Sequence, residues 1–76
     1  MLIPNALRKH RKLNNLKQED VAIKLGLRST DRISRWERGS TFPHVINLFK
    51  LGLIYKVPPH ELYAEFIESI RTEIPS

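Results

Sequence analysis

The sequence predicts an all-α fold, a compact bundle of five short helices. Apolar residues recur three and four positions apart, and no segment has a convincing strand pattern. Glycine or proline interrupts the helical pattern at short intervals. The chain has 76 residues, of which 41% are hydrophobic and 28% charged, an ordinary globular composition. We therefore expect residues 1–76 to form a single domain.

Each predicted helix has its own start or stop signal. Asn5 and Ser29 are expected to cap helices 1 and 3, and Pro43 to occupy the first position of helix 4. Gly26 and Gly39 are expected to end helices 2 and 3, because glycine adopts a left-handed backbone without strain. The predicted helices cover about 5–14, 18–25, 30–38, 43–55 and 59–71.

The apolar face of each helix predicts the core. Ile33 and Trp36 share a face of helix 3, so Trp36 is expected to pack in the core rather than stack on a base. Gly52, inside helix 4, is expected where a neighbouring helix approaches closely. The other predicted inward positions are Leu7, Val21, Ala22, Leu25, Val45, Leu48, Leu51, Tyr55, Leu62 and Phe66.

Composition narrows the classes of function. The absence of cysteine excludes disulfide frameworks and fits a reducing cytoplasm, the expected location. No apolar run approaches the roughly 20 residues of a membrane helix, and no signal-peptide pattern is present, so no membrane partner is expected. His10, His44 and His60 lack ligand-like spacing, and no catalytic triad is apparent. We expect no enzyme activity, cofactor, metal or small-molecule ligand.

The positive charge is concentrated in one half of the chain. The net charge is +5, yet residues 1–38 contain ten Lys and Arg against four Asp and Glu. Residues 39–76 contain three against four. A basic half indicates a polyanionic partner, with nucleic acid first and an acidic membrane surface second. The alternative is a solvated surface that lysines keep soluble.

The segment 18–39 has the pattern helix, glycine turn, helix. The face of helix 3 opposite Ile33 and Trp36 carries hydrogen-bonding groups and positive charge. A helix that enters the DNA major groove needs such side chains for base edges and phosphates. The residues on this face are Thr30, Asp31, Ser34, Arg35 and Arg38.

These segments resemble the helix-turn-helix family of phage repressors, Cro proteins and bacterial Xre-type regulators. The resemblance covers about residues 7–63 and implies a lambda-repressor-like DNA-binding domain. It implies a sequence-specific transcriptional regulator of double-stranded DNA, expected to be a repressor, with helix 3 in the major groove. The matching segments are Leu7-Arg8-x-x-Arg11, Gln18-x-x-Val21-Ala22-x-x-Leu25-Gly26, Ile33-Ser34-x-Trp36-Glu37-x-Gly39, Pro43 and Val57-x-x-x-x-Leu62.

The resemblance also implies roles for individual residues. Arg11 and Glu37 match a pair that forms a partly buried salt bridge in many family members, so a structural ion pair is expected. The expected base contacts are Thr30, Asp31, Ser34 and Arg35, and Ser34 could reach a phosphate instead of a base. The expected phosphate contacts are Lys17, Gln18, Arg28, Ser29, Arg38, Ser40 and Thr41.

Some of these contacts have competing interpretations. Arg35 could donate two hydrogen bonds to guanine, or pair with Asp31 on the helix surface. Asp31 could accept from a cytosine amino group, or only compensate the helix dipole. The span 26–33 is one residue longer than in the simplest phage repressors, so Arg28 could replace Thr30 as the first contact.

Other positions depart from the family pattern or have two interpretations. Gly52 and Lys56 stand where the family usually has alanine and glycine, which affects the expected end of helix 4. Arg8, Lys9 and Lys12 could contact phosphates or only water.

The apolar stripes of helix 5 exceed what a small core needs. Tyr63, Ile67 and Ile70 are a candidate surface for homodimer formation, since paired half-sites multiply specificity. The alternative is that helix 5 packs wholly on its own domain. The apolar excess and the lack of a sensor domain also fit a second function, a protein-interaction module such as the antitoxin of a toxin–antitoxin pair.

Overall fold

A computed structural model describes residues 2–75, and within them the chain is all-helical, as predicted. This described part of the chain contains five α-helices and one 3-10 helix, joined by turns and loops. None of its helices combines the length and the apolar character needed to cross a membrane. The elements are α1 (Leu7–Leu13), α2 (Gln18–Leu25), α3 (Asp31–Arg38), α4 (Val45–Tyr55), the 3-10 helix (Pro59–Tyr63) and α5 (Ala64–Arg71).

The glycine stop signals of α2 and α3 are confirmed, but α1 and α3 begin later than predicted, with Ala6 and Thr30 rather than Asn5 and Ser29 at the N-cap positions. Asn5 accepts the N–H of Leu7 at 3.1 Å, so it caps the first turn of α1 from outside the helix. Ser29 Oγ likewise accepts the N–H of Asp31 at 3.3 Å, and α3 begins one residue later than predicted. Gly26 and Gly39 end α2 and α3 with left-handed φ angles of +74° and +80°.

The start of the fourth helix differs from the prediction. Pro43 is not its first residue but lies buried before it, and α4 begins at Val45. His44 is the N-cap instead, because its Nδ1 accepts the N–H of Ile46 at 3.2 Å. Val45, predicted to face inward, is 51% exposed because it lies in the first turn at the edge of the buried stripe.

The predicted fifth helix is interrupted. Residues 59–63 form a 3-10 helix, and only residues 64–71 are α-helical. The break falls at Tyr63, whose backbone (φ −130°, ψ 28°) leaves the helical region. Adjacent side chains of a regular helix point about 100° apart, and this break brings both Leu62 and Tyr63 into the core.

The core lies where α1, α2, α3, α4 and the 3-10 helix meet. Phe66, predicted to close it, is only half-buried and packs against its edge. Gly52 is buried, and a β-carbon there would lie 3.0 Å from both Pro59 Cγ and the Val57 carbonyl oxygen. The close neighbours at Gly52 are therefore Val57 of the loop after α4 and Pro59, the first residue of the 3-10 helix. The buried apolar residues are Leu7, Val21, Ala22, Leu25, Ile33, Trp36, Leu51, Tyr55, Leu62 and Tyr63.

An N-terminal segment before α1 packs against the end of α3. The N–H of Ile3 donates to the Gly39 carbonyl at 2.8 Å, and Asn5 Nδ2 donates to the Trp36 and Glu37 carbonyls at 3.1 and 3.3 Å. A β-carbon on Gly39 would collide with the carbonyl oxygen of Ile3. Gly39 therefore serves two needs, the left-handed turn and the close approach of this segment.

Replacing Lys56 with glycine is expected to stabilise the fold. Lys56 is the C-cap of α4 with φ +61°, a conformation that costs a residue with a β-carbon about 1 kcal/mol or more. We expect Lys56→Gly to raise the free energy of unfolding by about 1 kcal/mol in urea titrations. Lys56→Ala is the control, since it removes the charge but keeps the β-carbon. An equal gain from alanine would contradict the backbone explanation.

Candidate nucleic-acid interface

The glycine turn fixes how α3 lies on α2. After Gly26, the N–H of Leu27 donates to the Ala22 carbonyl at 2.9 Å, which closes the end of α2. Ile33 and Trp36 are 1% and 4% exposed, so one side of α3 is buried in the core. The opposite side of α3 is therefore presented to solvent in a fixed orientation.

The four predicted base contacts all lie on the solvent side of α3 or at its start. Asp31 and Arg35 are exposed, while Thr30 and Ser34 are half-buried. Asp31 and Arg35 are four residues apart, yet among residues 2–75 neither takes part in an ion pair. In this structure both side chains therefore remain available to a ligand.

A carboxylate shared by two donors joins the first three helices. Arg11 Nε donates to Glu37 Oε2 at 2.6 Å and Arg11 Nη2 to Glu37 Oε1 at 3.1 Å, a two-pronged ion pair whose side chains are 11% and 5% exposed. Gln18 Nε2 donates to the same Oε1 at 3.0 Å. Arg11 Nη1 also donates to the Leu16 carbonyl at 3.0 Å. These bonds tie α1 and the start of α2 to α3.

The protonated state of Arg11 is reinforced by this arrangement. The hydrogen bond to Glu37 raises the pKa of the Arg11 guanidinium, and the partial burial opposes it less strongly. The Glu37 charge also contributes to raising the pKa of Tyr55, for which burial is the main cause. The ion pair is thus a partly desolvated charged site next to the core.

A depression next to the ion pair brings together residues from three helices. Arg8 of α1 and Gln18 of α2 line it with Ser34 and Arg38 of α3, beside Arg11 and Glu37. Only one of the two Nε2 hydrogens of Gln18 is needed by Glu37, so the other can donate to a ligand. Arg8, whose role had two interpretations, therefore lies beside two predicted phosphate contacts.

The predicted phosphate contacts form three groups around α3. Lys17 is the N-cap of α2 and Gln18 its first residue, and Arg28 and Ser29 lie in the turn. Arg38 is the last residue of α3, and Ser40 and Thr41 follow it. All are exposed except Gln18, which is half-buried. Ser40 Oγ donates to the Arg35 carbonyl at 3.2 Å, so this hydroxyl also helps end α3. Its lone pairs can accept a hydrogen bond, but its proton is engaged.

Arg32 is not among the predicted contacts, although it lies on α3. It is exposed and lines a depression with Gly26, Leu27, Arg28 and Ser29. The sequence contains a signal for a DNA contact at Arg32. It follows Asp31 directly, so its side chain points about 100° further around the helix, at the edge of the face that carries the predicted base contacts.

One of the three residues of the candidate dimer surface on helix 5 is buried in the core. Tyr63 is only 3% exposed because its ring packs into the core beside Phe42, with ring centroids 4.6 Å apart. Its hydroxyl has no hydrogen-bond partner within residues 2–75, and burial raises the pKa of Tyr63 to about 12. Ile67 is 37% exposed, and Ile70 is half-buried. Helix 5 therefore offers less apolar surface than its sequence pattern indicates.

The larger apolar surface lies on α4. We define the α4 face as Val45, Ile46, Phe49 and Leu53, which are between 51% and 81% exposed. A wholly apolar groove beside this face runs between α4 and α5. It is lined by Phe42, Leu48, Phe49, Pro59, Tyr63, Phe66, Ile67 and Ile70, with His60 at its edge.

The described residues contain no cluster of three or more His, Asp or Glu side chains arranged to hold a metal ion. Of the three histidines, His44 has a structural role as the cap of α4.

Comparison with known proteins agrees with this geometry. A family model described as helix-turn-helix matches residues 7–62. The chain belongs to the helix-turn-helix family. As an Xre-type member of this family, it is a DNA-binding transcription regulator.

A solved structure gives the same assignment. The chain is similar to the restriction-modification controller protein C.AhdI from Aeromonas hydrophila, with 32% sequence identity and a TM-score of 0.65. The similarity covers 75% of this chain and 85% of the controller protein. None of the curated proteins matches the chain in sequence.

Removal of the Glu37 carboxylate is expected to destabilise this helix-turn-helix unit. Glu37→Ala leaves the Arg11 charge and the Gln18 amide without their shared partner in a partly buried site. We expect the free energy of unfolding to fall by about 3 kcal/mol, measured by thermal and urea unfolding. Glu19→Ala, which removes an exposed carboxylate from α2, is the control. Unchanged melting of Glu37→Ala together with lost DNA binding would refute the structural role.

Proposed function

We propose that the protein is a sequence-specific repressor that places α3 in the major groove of double-stranded DNA. Residues 1–76 act as a single DNA-binding domain in this proposal. The observation that carries it is the solvent side of α3, where Asp31 and Arg35 are exposed and unpaired on a helix anchored by Ile33 and Trp36. The basic half of the chain surrounds this helix.

The two charged residues of α3 have complementary roles in this proposal. Arg35 donates two hydrogen bonds to guanine O6 and N7, and Asp31 accepts from a cytosine amino group. Because the two side chains do not pair with each other, neither contact has to break an existing bond. Thr30 and Ser34, both half-buried, supply shorter contacts at the edges of the same helix face. A contact with two hydrogen bonds, such as that of arginine with guanine, favours the correct base over a wrong one by about 1–3 kcal/mol.

The phosphate contacts position α3 on the duplex. Gln18 donates its second Nε2 hydrogen to a phosphate, next to Lys17 at the positive end of the α2 dipole. Arg28 and Ser29 act from the turn. The third group, at the end of α3 and just after it, comprises Arg38, Ser40 and Thr41. Phosphate contacts give affinity and register but no sequence preference.

The similar controller protein favours a more specific regulatory role. C.AhdI is a restriction-modification controller protein, and 85% of its length is covered by the similarity. We propose control of restriction-modification genes as one form that the regulation takes here. A restriction or methyltransferase reading frame beside the gene would support this role. A toxin-like reading frame there would favour the second candidate function, an antitoxin that uses the apolar surface to bind its partner.

The α4 face is proposed as the surface that binds a second copy of the chain. It exposes four large apolar side chains, more than isolated surface residues account for. It lies in residues 39–76, where three basic and four acidic residues nearly cancel, so two copies approach without strong repulsion. The basic half remains free for DNA. A twofold dimer would present two α3 helices to two half-sites.

Selection of bound sequences from a random double-stranded DNA library tests the proposed DNA contact. We expect a recovered motif with twofold symmetry that Arg35→Ala relaxes at one position in each half-site, because one arginine contacts one base pair. Arg71→Ala, an exposed arginine on α5, should recover the unchanged motif. No enriched motif, with only weak and salt-sensitive binding, would favour the protein-interaction function instead.

Sedimentation without DNA tests the proposed dimer. At micromolar concentration we expect the mass of two chains for the natural protein and of one chain for Phe49→Ser, since the serine removes apolar area from the centre of the α4 face. Ile23→Ser is the matched control, because Ile23 is 76% exposed on α2 and lies outside this face. A single-chain mass for the natural protein would argue against the dimer.

A further inference from the structure

Two arginines lie close together near the turn between α2 and α3, Arg28 in the turn and Arg32 in the first turn of α3. Arg28 and Arg32 are exposed, and they line one depression of about 370 Å³ together with Ser29. Between residues 2 and 75, no carboxylate forms an ion pair with either guanidinium. The depression therefore concentrates positive charge that the fold itself does not neutralise.

This depression lies on the opposite flank of α3 from the one that contains Gln18. At 100° per residue, Arg32 and Ser34 are about 160° apart around α3, with Asp31 and Arg35 between them. Ser34 lines the depression that holds Arg8 and Gln18, whereas Arg32 lines the one at the turn. The solvent side of α3 is thus bordered by basic or amide donors on both flanks.

A helix in the major groove has a phosphate backbone on each side. The groove is about 12 Å wide, and a helix with its side chains is about 10–12 Å across, so both flanks come close to phosphates. The two phosphate rows belong to different strands. Donors on the two flanks of α3 therefore meet opposite strands when its central residues meet base edges.

We infer that Arg28 and Arg32 bind phosphates of the strand opposite to the one that Arg8 and Gln18 contact. The inference rests on the proposed function, namely that α3 lies in the major groove. Arg32 is then a positioning residue, since it sets the depth and register of α3 without contacting a base. Arg28 is a phosphate ligand and does not replace Thr30 as the first base contact.

The turn is rigid enough to support this role. Gly26 closes α2, and Leu27 is held by its N–H bond to Ala22. Ser29 Oγ accepts the N–H of Asp31, which ties the end of the turn to the first residue of α3. The two guanidinium groups extend from a constrained backbone, which lowers the entropy lost on binding phosphate.

Strand-specific neutralisation of phosphates tests the inference. The selected operator is synthesised with methylphosphonates at the flanking phosphates of one strand or of the other. Binding is then measured for the natural protein, for Arg32→Gln and Arg8→Gln, and for the control Arg71→Gln. Each of the three variants replaces one exposed arginine. Salt titrations of each protein give the number of phosphates neutralised.

We expect Arg32→Gln to weaken binding about fivefold at 150 mM salt, to lower the salt slope by about 0.9 and to leave the selected motif unchanged. It should become less sensitive to methylphosphonates on one strand, where Arg28 remains as a contact, and stay fully sensitive to those on the other. Arg8→Gln should show the reverse strand preference. Arg71→Gln should behave as the natural protein.

Three results would overturn the inference. The first is an unchanged affinity and salt slope for Arg32→Gln. The second is that Arg32→Gln and Arg8→Gln lose sensitivity to methylphosphonates on the same strand. The third is a changed motif for Arg32→Gln, which would make Arg32 a base contact. Each of them leaves the proposed function intact if Arg35→Ala still relaxes the motif. Failure of the natural protein to select any motif would overturn both.

Discussion

The Glu37 carboxylate is the interaction on which the rest of the structure depends. It accepts hydrogen bonds from Arg11 of α1 and from Gln18 at the start of α2, so a single side chain of α3 connects the three helices that carry most of the proposed DNA contacts. In a chain of 76 residues the apolar core is small, and a partly buried ion pair also fixes relative orientation, which apolar contacts alone specify less strictly. The same carboxylate orients Gln18, so the stability of the fold and the geometry of one proposed phosphate contact depend on one group.

The far end of α3 is held by a different mechanism. Gly39 turns the chain away with a left-handed backbone, and its lack of a side chain admits the N-terminal segment. Asn5 then joins the start of α1 to the last carbonyls of α3 through Trp36 and Glu37. With one side of α3 buried and both ends bonded, its solvent side is presented with little freedom to rearrange. Such preorganisation is what contact with base edges at fixed spacing requires.

The molecule separates its two kinds of surface by sequence halves. The basic half contains α1, α2 and α3, and the nearly neutral half contains α4 with its exposed apolar face. In the proposed dimer, this separation would let DNA and the second chain bind without competing for the same residues. It also explains why the apolar surface can be large, since the near-zero charge beside it does not oppose association.

The sequence by itself determined the all-α class, the bounds of α2, the turns at Gly26 and Gly39 and the helix-turn-helix family, because helical periodicity and glycine turns are local signals. It also indicated the solvent side of α3 through residue spacing alone. The tertiary structure decided what depends on distant neighbours. It moved Tyr63 into the core beside Phe42, exposed Val45 with the rest of the α4 face, and replaced the start of the fifth helix with a 3-10 turn. It also placed Gln18 on Glu37 and Arg32 beside Arg28, since which side chains share a surface follows from packing between elements and not from periodicity within one.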